Sequence, residues 1–258
     1  MSNLVQYEVK DRVGYITLNR PEKRNALSYE MVSEIKLAFM NAEADKECKV
    51  IVIKGSGEAF CAGADLAYLQ QLQTNTFDEN LADSRHLMEL FQFIYYSKKV
   101  VVSQINGPAL AGGCGLASVC DFSFATPEST FGYTEVKIGF VPAIVMVFLV
   151  RKVAEKNARE MLLTGDVFKA DKALQYGLIN YIIEPEELDD VVFKFAQKLC
   201  KQTSMQSVEL IKEMLANVQS MDVNEALEYA AQTNAKARAT DDCKRGIAAF
   251  LNKEKLGW

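Results

Sequence analysis

Two apolar runs, Val50-Ile-Val-Ile53 and Val100–Ile105, constrain the fold more than any other feature of this chain. The first is continuously β-branched, the pattern of a strand buried on both faces. Such strands belong to parallel sheets covered by helices on either side. Helical patterns alternate with them. Ser28 stands as an N-cap before a stripe of Met31, Ile35, Ala38, Phe39 and Ala42, and Leu81, Leu87, Met88, Phe91 and Ile94 form a second stripe. A third strand is predicted near Phe122–Ala125. Ahead of them, Val5–Lys10 and Val13–Leu18 alternate around Asp11-Arg12 as a hairpin, and Asn19–Asn25 is a polar loop. This order predicts an α/β fold with a largely parallel sheet. From about Ser204 the pattern is helical only, and Asp222 with Glu225 predicts a capping box for a helix reaching Arg238.

A chain of 258 residues accommodates one large α/β domain, or one domain with an appendage. The net charge of −5 supplies no attraction for nucleic acid or an anionic membrane. Six scattered cysteines form no CxxC pair and there is one histidine, which argues against a metal site. Reduced, buried thiols in a cytoplasmic protein are the expectation. Met1-Ser-Asn-Leu-Val shows no basic-then-apolar leader pattern, and Phe140–Val150 is too short to span a bilayer.

Three elements carry chemistry. Phe60-Cys-Ala-Gly-Ala-Asp-Leu66 leads into a short helix, and Gly107-Pro-Ala-Leu-Ala-Gly-Gly-Cys-Gly-Leu116 opens another. Helix starts expose unpaired N–H groups, and small side chains let a ligand approach them. Two such donors on one carbonyl oxygen would make an oxyanion hole; tight helix–strand packing is the alternative use of the same residues. The third element is Glu135, the one well-placed acid/base, which should carry a raised pKa against Ile138, Phe140 and Val141. His86 sits in a helical stripe and reads as a packed or surface histidine. Tyr133 either orients a water or substrate, or packs with a satisfied hydroxyl.

Taken together, Asn19-Arg-Pro-x-x-x-Asn-Ala26, Phe60–Leu66, Ala111-Gly-Gly-Cys-Gly-Leu116, Cys120-Asp121, Glu135–Pro142, Ala173-x-x-x-Gly-Leu178 and Ala249–Lys253 resemble the crotonase superfamily of enoyl-CoA hydratases and isomerases over nearly the full length. The resemblance implies a crotonase-type spiral of β-β-α turns over residues 1–200, with a C-terminal helical trimerisation region over 201–258. It implies a homotrimer or a dimer of trimers, with an acyl-CoA substrate and no cofactor beyond it. Carried over by position, the N–H groups of Ala64 and Gly112 bind the thioester carbonyl and Glu135 moves protons. Lys23, Ala26, Ala62, Asp65 and Leu66 hold the CoA nucleotide, and Phe250 and Lys253 reach a CoA, often one bound to the adjacent subunit.

The two-glutamate hydratases carry a second glutamate directly after the Gly-Gly-Cys segment, where this chain has Gly115. Three readings stay open: a hydratase in which Glu135 does both proton transfers, a Δ3,Δ2-enoyl-CoA isomerase, and a non-catalytic acyl-CoA binding protein. Thr134–Ala143 and Asn80–Arg85 resemble bacterial methylglutaconyl-CoA hydratases, which implies hydration. Their substrate carries a distal carboxylate, for which Arg85 or Lys137 is the candidate cation. Leu66–Leu72 lacks a basic residue and Ala143–Val150 is strongly apolar, which suits a simpler acyl chain.

Overall fold

The computed structural model describes residues 3–258; Met1 and Ser2, part of the stretch read above for a leader, lie outside them. Strands β1 (Val5–Lys10) and β2 (Val13–Leu18) form an antiparallel hairpin with Lys10 opposite Val13. Asp11 and Arg12 both take positive φ (49° and 68°), as a two-residue I′ turn requires. The Ser28 hydroxyl caps helix α1 (Tyr29–Ala44) by accepting from Met31 N–H, and the expected stripe is buried with Val32 added. Strand β3 (Val50–Gly55) follows in parallel with β2.

Helices α2 (Leu66–Leu72) and α3 (Phe77–Tyr95) come next. The stripe predicted for α3 is corrected: Leu90, Phe91 and Ile94 are its buried residues, whereas Met88 is exposed. Only the C-terminal half of α3 enters the core. Its earlier part meets α1 through polar and ring contacts, with His86 stacked on Tyr29 at 4.1 Å and its ring nitrogens near Ser33 Oγ and Lys36 Nζ. Strand β4 (Val100–Ile105) is buried at all six positions.

Then come β5 (Ala109–Leu110), α4 (Gly112–Val119), β6 (Phe122–Ala125) and β7 (Thr130–Gly132). Helices α5 (Ala143–Lys152) and α6 (Glu155–Thr164) lead to β8 (Phe168–Lys169), α7 (Ala170–Gln175) and β9 (Tyr181–Ile182). Helix α8 (Leu188–Gln202) precedes the terminal helices α9 (Met205–Asn217), α10 (Val223–Ala239) and α11 (Asp241–Leu251). Asp222 caps α10 by accepting from Asn224 and Glu225 N–H, while the full reciprocal box forms at Thr76 and Glu79.

The main sheet has the order β1-β2-β3-β4-β6-β9 and is parallel from β2 onward; a small second sheet has the order β5-β7-β8. Alternation along the strands builds a core on each face. Ile51, Ile53, Val101 and Ile105 join residues of α1, α3 and α4 on one side. Val50, Val52, Val100 and Val102 meet Leu188, Val192 and Ala196 of α8 on the other. This is the mixed α/β architecture with a C-terminal helical region that the sequence predicts. Among the described residues, no helix is long and apolar enough to cross a membrane.

Candidate active site

Backbone pairing draws the two small-residue segments together. Cys61 N–H donates to the Pro108 carbonyl at 3.1 Å, and Leu110 N–H donates to the Cys61 carbonyl at 3.0 Å. A second bridge couples Leu27 to Ala64: Leu27 N–H donates to Gly63 O at 2.7 Å, and Asp65 N–H to Leu27 O at 2.9 Å. Those bonds use the neighbours of Ala64 and leave its own N–H without an acceptor among the described residues. Gly63, at φ 90°, allows the close approach. A Cβ there would sit 2.7 Å from Ala111 Cβ and 3.5 Å from Gly112 N.

Gly112 opens α4, so its N–H is one of those a helix start leaves unpaired. The preceding Ala111 is held at φ 51°, ψ −125°, which costs a non-glycine residue on the order of 1–3 kcal/mol. It is fixed there by its N–H, which donates to Gly132 O at 2.7 Å. The same pairing delivers Glu135. Strand β5 runs parallel to β7 with Leu110 opposite Gly132, so the chain leaving β7 passes the start of α4 and enters the 3-10 turn Thr134–Ile138.

Glu135 is buried, at 8% exposure, and its Oε2 has no hydrogen-bond partner among the described residues. Buried polar atoms are nearly always paired, so this oxygen adds nothing to stability and is free for a ligand. Burial pushes the Glu135 pKa above its ordinary value of 4.5, and a hydrogen bond from its own backbone offsets part of the rise. The expected direction holds, and its cause is burial. Ile138, Phe140 and Val141 are all more than half exposed. The fully buried Cys114 of α4 and Tyr133 lie close enough to feel the Glu135 charge, and the turn that carries Glu135 also packs on α6.

Tyr133 packs, as in the plainer of its two readings: its hydroxyl meets Ser118 Oγ at 3.2 Å and nothing of it is exposed. His86 belongs to the α1–α3 contact. Lys137 is paired with Asp166 at 3.2 Å, while Arg85 is exposed on α3 with no ion pair among the described residues. Gly115 lies one turn into α4, its N–H donating to Ala111 O at 3.1 Å.

Of the remaining residues, Lys23 is exposed in the 3-10 turn Pro21–Lys23, and Leu66 is exposed at the start of α2. The N–H groups of Ala26 and Ala62 are spent on Lys23 O and Arg24 O, so what these two offer a ligand is their carbonyls. The Asp65 carboxylate caps α2 through Ala67 and Tyr68 N–H and pairs with Arg20 at 2.8 Å. Burial works against its ionisation, but the bonds from Tyr68, Arg20 and Ala67 prevail and hold its pKa below the ordinary 3.8. Phe250 and Lys253 lie at the end of α11, which packs on α9 and α10, and Phe250 is 84% exposed. A surface groove of about 650 Å³ lined by Asp11, Arg12, Phe193 and Lys198 contains none of these residues.

Two residues of the Asn19-Arg-Pro-x-x-x-Asn-Ala26 motif shape the site although the sequence assigns them no role of their own. Asn25, fully buried at φ 55°, accepts from Arg20 N–H and donates to the Ser56 and Ala59 carbonyls, tying the loop after β2 to the loop before Cys61. Arg20 carries that tie on to Asp65. A polar loop ending in asparagine, a residue tolerant of positive φ, was the available hint.

The fold is that of the crotonase superfamily. The sequence profile described as enoyl-CoA hydratase/isomerase matches residues 8–258. A curated protein of Thermus thermophilus is 42% identical over 250 residues, covering 97% of this chain and 98% of its own. The crotonyl-CoA hydratase of Syntrophomonas wolfei is 34% identical, covering 97% and 96%. A crystal structure of an enoyl-CoA hydratase from Shewanella pealeana superimposes with a TM-score of 0.94 at 26% identity, covering 99% of this chain and 96% of that one. The chain therefore belongs to the enoyl-CoA hydratase/isomerase family and is an enzyme of that class.

Proposed function

We propose that this enzyme is an enoyl-CoA hydratase that adds water across the 2,3 double bond of an enoyl thioester. The carrying observation is the buried Glu135 with its unpartnered Oε2, linked through the β5–β7 pairing to the unpaired N–H groups of Ala64 and Gly112. In this reading the Glu135 carboxylate takes a proton from water as the water oxygen bonds to C3. The π electrons move through C2 into the thioester oxygen, and the resulting enolate is held by the two N–H donors, each worth roughly 3–4 kcal/mol. The Glu135 carboxyl then returns the proton to C2 and the carbonyl re-forms. Water is the only co-reactant, so no cofactor is required.

The Ala26 and Ala62 carbonyls, Lys23, Leu66 and the capped Asp65 would line the CoA path, with Phe250 and Lys253 serving a CoA on a neighbouring subunit. Residues 201–258 would form the trimerisation region of a homotrimer or a dimer of trimers. The six unpaired cysteines suit a reducing, cytoplasmic setting.

The acyl group we favour is short and apolar, or branched. The engagement of Lys137 with Asp166 supports this, as does the name of the Syntrophomonas relative, crotonyl-CoA hydratase. Methylglutaconyl-CoA, suggested by the subgroup resemblance, would need Arg85 for its distal carboxylate. A second reading, Δ3,Δ2-enoyl-CoA isomerase, is favoured by Gly115: a lone carboxylate can carry a proton from C2 to C4.

Incubation with crotonyl-, 3-enoyl- and 3-methylglutaconyl-CoA, with products followed by mass, separates the readings. Gain of one water supports hydration. Migration of the double bond at constant mass supports the isomerase, and tight binding without turnover would mean a silent pocket.

A further inference from the structure

Position 115 is not an empty place beside Glu135. A Cβ added to Gly115 would lie 2.2 Å from Val145 Cγ1, 2.6 Å from Val145 Cβ and 3.3 Å from Phe91 Cε1. Real Cβ atoms essentially never approach below 3.0 Å. Both neighbours are core residues, Val145 at 3% exposure and Phe91 at none. Val145 and Leu149, one turn apart, are the two buried residues of α5. They anchor that helix while Met146, Val147 and Val150 remain exposed.

A β-branched side chain has few rotamers with which to yield. Here, moreover, one clash is with its Cβ, which only movement of the α4 or α5 backbone can relieve. Helix α5 begins directly after the segment that follows Glu135, and Phe140 N–H donates to the Glu135 carbonyl. Forcing α5 away would therefore disturb the turn that holds the acid/base.

We propose that Val145 is the residue that fixes this site as a single-carboxylate site: an apolar plug seated on Gly115, in the volume a side chain from position 115 would have to enter. The inference rests on the hydratase reading and narrows it. Gly115 and Val145 act as a coupled pair, so restoring a glutamate at 115 alone cannot restore two-carboxylate chemistry. Water in this enzyme is handled by Glu135 against an apolar wall.

The distances also make a graded statement. Val145→Ala removes the contact at 2.2 Å but keeps the one at 2.6 Å, whereas Val145→Gly removes both.

The test uses the full chain in six forms: wild type, Gly115→Ala, Gly115→Glu, Val145→Gly, and Gly115→Glu combined with Val145→Ala or with Val145→Gly. Thermal melting and pH profiles of kcat/KM for crotonyl-CoA are read on each. Gly115→Ala should melt lower than wild type, although alanine is the better helix former. Gly115→Glu should melt lower still and lose hydration by about 10²-fold or more, the scale of acid–base assistance from a displaced Glu135. Adding Val145→Ala should rescue neither property. Adding Val145→Gly should restore folding and introduce a second ionisation absent from Val145→Gly alone.

The proposal is overturned if Gly115→Ala melts at or above the wild-type temperature, or if Gly115→Glu alone shows a wild-type melt and a second ionisation. It is equally overturned if Gly115→Glu with Val145→Gly fails to fold although Val145→Gly folds, or folds with an unchanged profile. Failure of the wild type to add water to any of the enoyl thioesters would refute the hydratase reading instead, and the melting order would still judge the plug.

Discussion

Glu135 is the residue on which energetics and chemistry meet. Its raised pKa means that ionisation disfavours the folded state. That penalty is absent below the ordinary value of 4.5 and grows as pH rises through the raised value. Glu135→Gln should therefore melt above wild type at neutral pH, and the difference should vanish below about pH 4.5 in a pH series of melts. A variant less stable than wild type at pH 7 would contradict the burial described here. At this scale much was legible in the sequence. Glu135 stands out in a chain with a single histidine, and that histidine is used in packing against Tyr29. What could not be read was the approach of Cys114, which arrives from another element through the pairing of β5 with β7. Nor could Gly115 be read as occupied space, since Val145 reaches it from another helix.

At the scale of the element, α2 is the weak member of the site. It buries no residue of its own, so it depends on the Asp65 cap and on Arg20. Asp65→Ala should cost about 0.5–2 kcal/mol in chemical denaturation. It should also speed amide exchange in Leu66–Leu72 and raise KM for a CoA thioester, since Ala64 immediately precedes the lost cap. Unchanged exchange in that helix would show that the cap is dispensable. Elements with strong periodicity or turn chemistry were readable: the hairpin around Asp11-Arg12, the Ser28 cap, and β4. The two- and three-residue strands of the second sheet carry no periodicity to detect, yet β5 and β7 join the oxyanion segment to the acid/base. In α3 the buried stripe runs through Leu90, Phe91 and Ile94 with Leu87 packed against it, so Met88 falls outside it, and Leu81 lies in the half that does not enter the core.

The whole molecule ends in a layer that is poorly satisfied within one chain. Helices α9, α10 and α11 each bury a single residue, Lys212, Thr233 and Ala249, and leave Ile211, Leu215, Leu227, Phe250 and Leu251 exposed. These are the side chains that the proposed trimer would cover. Light scattering on the purified protein should give three or six times the chain mass of 28.8 kDa, and a single-chain mass would refute the assembly. The alternation of strands and helices was legible from the β-branched runs, because burial on both faces of β3 and β4 demands helices on each side. Helix α8, which supplies the second of those layers, comes from far along the chain, and no local signal ties it to the sheet.

Initial rates of crotonyl-CoA hydration by wild type and Glu135→Gln, with product mass read in oxygen-18 water, test the assignment most directly. Wild type should yield a 3-hydroxyacyl-CoA carrying the solvent oxygen, and Glu135→Gln should lose roughly 10²–10⁴-fold in kcat with its fold intact. Hydration at the wild-type rate in the Gln variant would contradict the role given to Glu135.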